Sequence, residues 1–154
     1  MKPPKFAADV MVGTLAKWLR LLGFDTFYSN TAEDDFLVEL CTAEDRILLT
    51  PDGPLQDRMH GNACFVTSHI LDEQLAQVIT RYDLTRFNLP HRCAVCNGVL
   101  NEIAKAEVEG EAPPYVFKTV DEFFRCDGCG KLYWEGTHVP RIRSVIESLH
   151  NNNH

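Results

Sequence analysis

Hydrophobic residues in the first 90 positions follow two spacings, and together they predict strands that alternate with helices. Short apolar runs rich in β-forming residues predict strands at 5–10, 24–28, 47–50 and 63–67. Helices are predicted after each strand, at 14–22, 31–44, 54–59 and 71–84, and the longer ones carry apolar residues at helical spacing. Thr31 is the predicted N-cap of the second helix.

The order of these elements predicts the fold class. Strands that alternate with helices form a mostly parallel sheet with helices on both faces, so the first region is predicted to be an α/β domain. The helical pattern ends at Leu89 and Pro90. We therefore expect a boundary there, between a domain at 1–90 and a second region at 91–154 that ends in a C-terminal helix.

Four cysteines in the second region form two C-x-x-C pairs, which are Cys93 with Cys96 and Cys126 with Cys129. This spacing lets one tight turn direct two sulfurs at the same ion, so two such turns predict a tetrahedral site for one structural zinc ion in a small ribbon. Gly98, Gly128 and Gly130 are expected to supply positive φ angles in these turns. A redox dithiol or an iron–sulfur centre is the alternative for the same thiols.

Basic and aromatic residues surround the cysteine pairs; they are Arg92, Arg125, Lys131, Tyr133, Trp134, His138, Arg141 and Arg143. Such residues bind phosphates or stack on bases in nucleic-acid-binding proteins. The alternative is that Tyr133 and Trp134 pack the ribbon onto the first domain, and that Arg141 and Arg143 lie on the solvated face of the C-terminal helix.

Composition and charge narrow the class of protein. The chain is 45% hydrophobic and 24% charged, as in packed globular proteins, and its net charge is −7. This charge disfavours a protein that holds nucleic acid by phosphate neutralisation alone. No apolar run approaches the roughly 20 residues of a membrane span, and the N-terminus lacks the apolar segment of a signal peptide. We therefore expect a cytoplasmic protein without a membrane partner, in which paired cysteines bind metal.

Acidic residues follow the predicted strands where a parallel sheet collects functional groups. Asp9 closes the first strand, Asp52 follows the third, and Asp34 and Asp35 open the second helix. Carboxylates that share one edge repel each other unless a hard cation compensates them, so they predict a Mg²⁺ or Mn²⁺ site suited to phosphodiester hydrolysis. Each acid also has a structural interpretation, since Asp9 and Asp52 are suited to a helix cap or a turn.

Two basic residues on the first helix, Lys17 and Arg20, are one turn apart. They are candidates to flank the acids and hold the backbone of a substrate. The alternative is that both are solvated residues on the polar face of the helix.

Long ordered motifs occur along the chain; they are GTLAKWLRLLGFDT, AEDDFLVEL and RILLTPD in the first region, and RCAVCNGVL and RCDGCGKLYWEGTH in the second. These motifs resemble those of the Mut7-C RNase family, PIN-like nucleases with a C-terminal zinc ribbon. The resemblance covers nearly the whole chain. It implies a PIN-like α/β domain that cuts RNA with Mg²⁺ or Mn²⁺ at clustered acids.

The resemblance also implies roles for individual residues. Asp9 matches the acid after the first strand, Asp34 and Asp35 match the acidic pair of the second helix, and Asp52 matches the acid of the Thr-x-Asp motif. The family often has basic residues on either side of that last acid. Here these positions are Pro51 and Gly53, which removes positive charge beside the acids.

Three functional hypotheses follow. In the first, a ribonuclease holds its ion with Asp9, Asp35 and Asp52, a metal-bound water attacks phosphorus, and Asp34 assists in ligation or proton transfer. In the second, the protein is a non-catalytic adaptor that binds RNA or a ribonucleoprotein partner. The third is aspartyl-phosphate chemistry, which is disfavoured because the chain lacks the Asp-x-Asp motif of haloacid-type phosphatases after the first strand.

Overall fold

Four short parallel strands form the sheet of the first region in the computed structural model, which describes residues 2–134 and 147. The strands are β1 (Lys5–Ala8), β2 (Thr26–Phe27), β3 (Arg46–Thr50) and β4 (Ala63–Phe65). Their order is β2-β1-β3-β4, and all three pairings are parallel. Because β1 and β3 are neighbours, the residues that follow them lie side by side at one edge of the sheet.

Helices cover both faces of this sheet, as the α/β pattern predicts. They are α1 (Gly13–Leu21), α2 (Asp34–Glu44), α3 (Gly53–Asp57) and α4 (Leu71–Arg81). Successive strand residues point to opposite faces. Phe6 therefore packs with the buried residues of α1 and α4, whereas Ala7 packs with those of α2 and α3.

The start of α2 differs from the prediction. The helix begins at Asp34 with Glu33 in the cap position, so the prediction that Thr31 caps it is wrong. Thr31 instead belongs to a turn in which its backbone N–H donates to Ser29 Oγ at 3.2 Å. Asp34 and Asp35 in the first turn oppose the positive end of the helix dipole without a side-chain cap.

A second, antiparallel sheet carries the cysteine pairs. Its strands are β5 (Leu100–Ile103), β6 (Phe123–Cys126) and β7 (Leu132–Trp134), and helix α5 (Pro114–Thr119) lies between the first two. The predicted C-terminal helix lies outside the described residues, and so do His138, Arg141 and Arg143. No helix in the described part of the chain has the length and apolarity to cross a membrane.

Candidate functional site

Asp9 and Asp52 are joined by one side chain between them. Thr50, the last residue of β3, donates a hydrogen bond from Oγ1 to Asp9 Oδ2 at 2.8 Å. The same hydroxyl oxygen accepts a hydrogen bond from the backbone N–H of Asp52 at 3.0 Å. Asp9 is only 5% exposed, so its carboxylate is held in a fixed orientation. We call the sheet edge that carries Asp9, Thr50 and Asp52 the acidic edge.

Both aspartates also cap helical segments, which confirms the structural interpretation of each. Asp9 Oδ1 accepts a hydrogen bond from the backbone N–H of Met11 in a short 3₁₀ turn, and Asp52 Oδ1 accepts one from Leu55 at the start of α3. An ionised carboxylate has about four acceptor positions, so a cap bond leaves it able to bind a cation as well. Capping and metal binding are therefore compatible roles for these residues.

Asp34 and Asp35 are exposed in the first turn of α2, and Asp35 is paired with a residue that sequence reasoning missed. Arg58, directly after α3, donates from Nη2 to Asp35 Oδ1 at 2.7 Å. The side chains remain 46% and 82% exposed for Arg58 and Asp35 respectively. The sequence feature that could have identified Arg58 is that it is the first basic residue after Asp52.

The sulfur atoms of Cys93, Cys96, Cys126 and Cys129 form a compact group in the second region, with all ligand atoms within 4.8 Å of one another. Cys93 Sγ lies 3.6 Å from Cys129 Sγ, and Cys96 Sγ lies 3.3 Å from Cys126 Sγ. A zinc ion with bonds of about 2.3 Å to four thiolates in a tetrahedron separates the sulfurs by about 3.8 Å. The group can therefore hold one metal ion such as zinc.

Backbone geometry around the sulfurs also suits anionic thiolates. Cys126 Sγ accepts hydrogen bonds from the backbone N–H of Gly128 at 3.3 Å and of Cys129 at 3.4 Å, and Cys96 Sγ accepts one from Gly98 at 3.4 Å. Such N–H groups stabilise the negative charge of a metal-bound thiolate.

The prediction that three glycines in these turns adopt positive φ angles is confirmed for only one of them. Of Gly98, Gly128 and Gly130, only Gly130 has a positive φ angle. The first two glycines are required by proximity instead. A Cβ on Gly98 would lie 2.7 Å from Cys126 Sγ, and one on Gly128 would lie 3.1 Å from Cys96 Sγ.

Tyr133 belongs to the surroundings of the cysteine group. Its hydroxyl lies 3.0 Å from Cys93 Sγ and accepts a hydrogen bond from the backbone N–H of Ala94 at 3.1 Å. Burial alone would raise the pKa of the Cys93 thiol, but hydrogen bonds from Tyr133 and from the backbone N–H of Cys96 and Val95 lower the pKa to about 7. The hydrogen bonds thus favour the thiolate form of Cys93, which is the form that binds a metal.

A family model, the Mut7-C RNAse domain, matches residues 4–146. The chain belongs to the Mut7-C family. The fold agrees with this assignment, because a parallel four-stranded α/β sheet is followed by a cysteine cluster on a small antiparallel sheet. No curated protein and no solved structure gives a significant match.

Several basic and aromatic residues that were candidates for RNA binding make contacts within the Mut7-C ribbon itself. Arg125 forms a two-pronged ion pair with Glu111, with distances of 3.0 and 2.9 Å. Arg92 Nη1 donates to the backbone oxygen of Asn97 at 2.9 Å. Trp134 packs on Phe123 in the core of the small sheet. The expectation that Trp134 and Tyr133 pack against the first domain is therefore replaced by packing inside the ribbon.

The donor atoms of the acidic edge fit a hard divalent cation. Mg²⁺ prefers oxygen ligands, keeps several waters, and is usually held by one or two carboxylates together with substrate phosphates. The Thr50 hydroxyl links the carboxylate of Asp9 to the backbone N–H of Asp52, and the carboxylate of Asp52 accepts a hydrogen bond from Leu55. In the described part of the chain, the four cysteines are the only group of three or more potential metal ligands, and the acids of this edge do not form one. A cation here would therefore be held by one or two carboxylates together with water or substrate oxygens.

Lys17 and Arg20 point to opposite ends of the α/β fold. Lys17 is exposed and lines a cleft of about 400 Å³ whose wall includes Val10 and Met11, directly after Asp9. Arg20 is 5% exposed and donates from Nε to the backbone oxygen of Thr26 at 2.9 Å. Arg20 therefore has a structural role, whereas Lys17 lies beside the segment that follows Asp9.

The first C-x-x-C turn docks where the strands begin, opposite the acidic edge. Asn97 in that turn accepts a hydrogen bond from Thr26 N–H at 3.1 Å and donates one to Asp25 Oδ1 at 2.7 Å. Asp25 also pairs with Arg46, the first residue of β3, at 2.9 Å. A cleft of about 740 Å³ opens beside this contact and includes the chain before β1.

Proposed function

We propose that this Mut7-C protein is a divalent-metal-dependent ribonuclease that hydrolyses RNA phosphodiesters at its acidic edge. The observation that carries the proposal is the hydrogen-bonded set of Asp9, Thr50 and Asp52 at the ends of two adjacent parallel strands. Open α/β sheets bind ligands at this end of their strands, and membership of an RNAse domain family agrees with that chemistry.

The side chains have distinct roles in this proposal. Asp9 and Asp52 hold the cation, with Asp9 fixed by its hydrogen bonds from Thr50 and Met11. A bound Mg²⁺ or Mn²⁺ would supply water activation and charge stabilisation for displacement at phosphorus. Asp35 assists in ligation, and the exposed Asp34 accepts a proton from the attacking water.

Lys17 holds the backbone of the RNA beside the acids. It is exposed, lies at the middle of α1, and lines the cleft whose wall includes the segment after Asp9. One flexible ammonium group neutralises one phosphate. The negative net charge of −7 makes each such cation important for RNA binding.

The second region, residues 91–154, is proposed as a structural zinc ribbon attached to a nuclease domain at 1–90. Four thiolates complete the coordination shell of a tetrahedral zinc ion and leave no position for substrate, so this ion has no part in the chemical step. The ribbon contributes by binding RNA or a ribonucleoprotein partner. Thiolate ligands of this kind suit a reducing compartment such as the cytoplasm.

The direct test is cleavage of a labelled mixed-sequence RNA by purified protein in Mn²⁺, Mg²⁺ or EDTA. We expect cleavage with either metal, none with EDTA, and a loss of at least a hundredfold in an Asp9→Asn, Asp52→Asn double variant. The matched control is Asp121→Asn with Glu122→Gln, which removes two exposed charges from the ribbon.

Folding of each variant is checked by thermal unfolding. Loss of cleavage in the acidic-edge variant, with the control unchanged, supports the ribonuclease. Metal-independent cleavage, or equal activity of the two variants, overturns it. RNA binding without cleavage by the unmodified protein favours the adaptor hypothesis instead.

A further inference from the structure

The region around Asp52 is poor in positive charge, although an RNA substrate brings several phosphates to it. The segment from Thr50 to Pro54 contains no lysine or arginine, and Arg58 is the first basic residue after it. Arg58 lies six positions beyond Asp52, which is about 9 Å along a helix. Its guanidinium contacts Asp35 in the first turn of α2.

Among the described residues, the contacts of Arg58 leave most of its hydrogen-bonding capacity for a ligand. The contact with Asp35 runs through Nη2 alone, at 2.7 Å, and the arginine side chain is 46% exposed. A guanidinium has five N–H donors in a planar fork that matches phosphate as well as carboxylate. Because exposed ion pairs contribute little to stability, Arg58 can turn toward a second anion at small cost.

We infer that Arg58 binds a backbone phosphate of single-stranded RNA next to the one that is cleaved, with Asp35 holding the guanidinium in place until RNA arrives. Resting on the proposed ribonuclease function, this inference adds a substrate-binding residue to that site. Arg58 would thus supply the positive charge that the segment around Asp52 lacks.

Asp35 and Asp34 make a matched pair for testing this inference. Both are exposed acids in the first turn of α2, and the described ion pair is with Asp35. Changing either residue to asparagine removes one negative charge from the same turn. Only Asp35→Asn also removes the partner of Arg58, so the difference between the two variants measures the release of its guanidinium.

The experiment measures binding of a fluorescent single-stranded RNA without added Mg²⁺ or Mn²⁺, where no cleavage is expected, over a range of salt concentrations. Log affinity falls as log salt rises, and each phosphate contact to a single strand makes this slope steeper by about 0.7. We expect Arg58→Gln to make the slope shallower by about 0.7 and to weaken binding about two- to fivefold. The control is Arg86→Gln, in which the arginine also pairs with an aspartate, Asp83, at 3.9 Å.

The acidic variants complete the test. Asp35→Asn is expected to tighten RNA binding about two- to fivefold more than Asp34→Asn. This extra gain should disappear when Arg58→Gln is added, because coupled residues give non-additive effects. The inference is overturned if Arg58→Gln and Arg86→Gln have equal slopes, or if the extra gain of Asp35→Asn over Asp34→Asn persists without Arg58.

Failure of this inference and failure of the proposed function give different results. A protein that cleaves RNA but shows no effect of Arg58 on the salt slope keeps its function and loses this contact. A protein that binds RNA through Arg58 but does not cleave with any metal keeps the contact and loses the ribonuclease assignment. Circular dichroism of each variant checks that these exposed substitutions leave the fold intact.

Discussion

The guanidinium of Arg20 donates a hydrogen bond of 2.8 Å to the backbone oxygen of Ala94, the residue after Cys93. The same side chain donates from Nε to Thr26 at 2.9 Å. Burial lowers the pKa of Arg20, and the negative charges of Cys93 and Cys96 oppose this effect. One buried cation therefore ties helix α1 and strand β2 to the turn that presents the first two thiolates.

Replacing Arg20 with lysine should loosen this turn. Lysine keeps the charge but cannot reach two carbonyl oxygens with one planar group. We expect a chelator to remove the metal about tenfold faster, a typical effect of losing an outer-shell contact. The measurement is transfer of zinc to a coloured chelator, with Lys17→Met on the same helix as the control. Equal rates of zinc release from Arg20→Lys and Lys17→Met would show that Arg20 does not hold the turn that presents the first two thiolates.

Asp25 should make stability depend on pH. Burial raises the pKa of its carboxyl, but hydrogen bonds from Arg46 and Asn97 outweigh burial and lower it overall. A lowered folded-state pKa gives stability that is present above the unfolded pKa of about 3.9 and is lost as pH falls through the folded value. We expect Asp25→Asn to be about 1 to 2 kcal/mol less stable than the unmodified protein at pH 7, and this difference to shrink at pH 3.

Urea unfolding at both pH values measures the effect of Asp25→Asn. The control is Asp121→Asn, since Asp121 is 96% exposed in its contact with Lys105. Acid also protonates the metal-binding thiolates, so the comparison uses the difference between the two variants. If the difference in stability between Asp25→Asn and Asp121→Asn did not change with pH, the lowered pKa of Asp25 would be contradicted.

Thr50 should be needed for cleavage more than for folding. Thr50→Val removes the hydroxyl that donates to Asp9 and accepts from Asp52, while it keeps a similar shape. We expect a stability loss of about 1 to 3 kcal/mol and at least a tenfold loss of kcat/KM for RNA cleavage. Thr50→Ser restores the hydroxyl and should retain most activity. Equal activity of the valine and serine variants would show that the hydroxyl does not orient Asp9.

The six cysteines should divide into four that react after chelation and two that do not. Cys41 and Cys64 are buried, and burial raises the pKa of both thiols, that of Cys41 to about 11. Their thiolate fraction at pH 8 is therefore very small. Titration with a thiol reagent at pH 8 should count four groups in chelator and all of them in denaturant. Reaction of all thiols without denaturant would show that chelation unfolds the α/β fold as well.

Local sequence patterns predicted the elements that depend on near neighbours. The apolar run at 47–50 predicted β3, and C-x-x-C spacing predicted which sulfurs converge. The approach of Asp9 to Asp52 followed from the rule that parallel strands end at one edge. The hydroxyl of Thr50 between them was not predicted, because its orientation depends on the register of β3 against β1.

Contacts between distant segments lay beyond the sequence pattern. Helical spacing placed Arg20 on a polar face, but the carbonyl groups that it binds belong to residues 94 and 95. Arg58 pairs with Asp35 across two helices whose packing is set by the core beneath them. Gly98 looked like a residue of a tight turn, whereas its position is required by the sulfur of Cys126.

The docking of the first C-x-x-C turn at the start of the strands sets a length scale for the substrate. That turn contacts Asp25 and the first residue of β2, whereas Asp9 and Asp52 follow the ends of β1 and β3. The strand β3 has five residues, which span about 16 Å. An RNA that touches this turn and the acids together must run at least that distance along the side of the sheet. Cleavage of oligonucleotides shorter than this span therefore reports on the acidic edge alone, whereas longer ones can engage both regions at once.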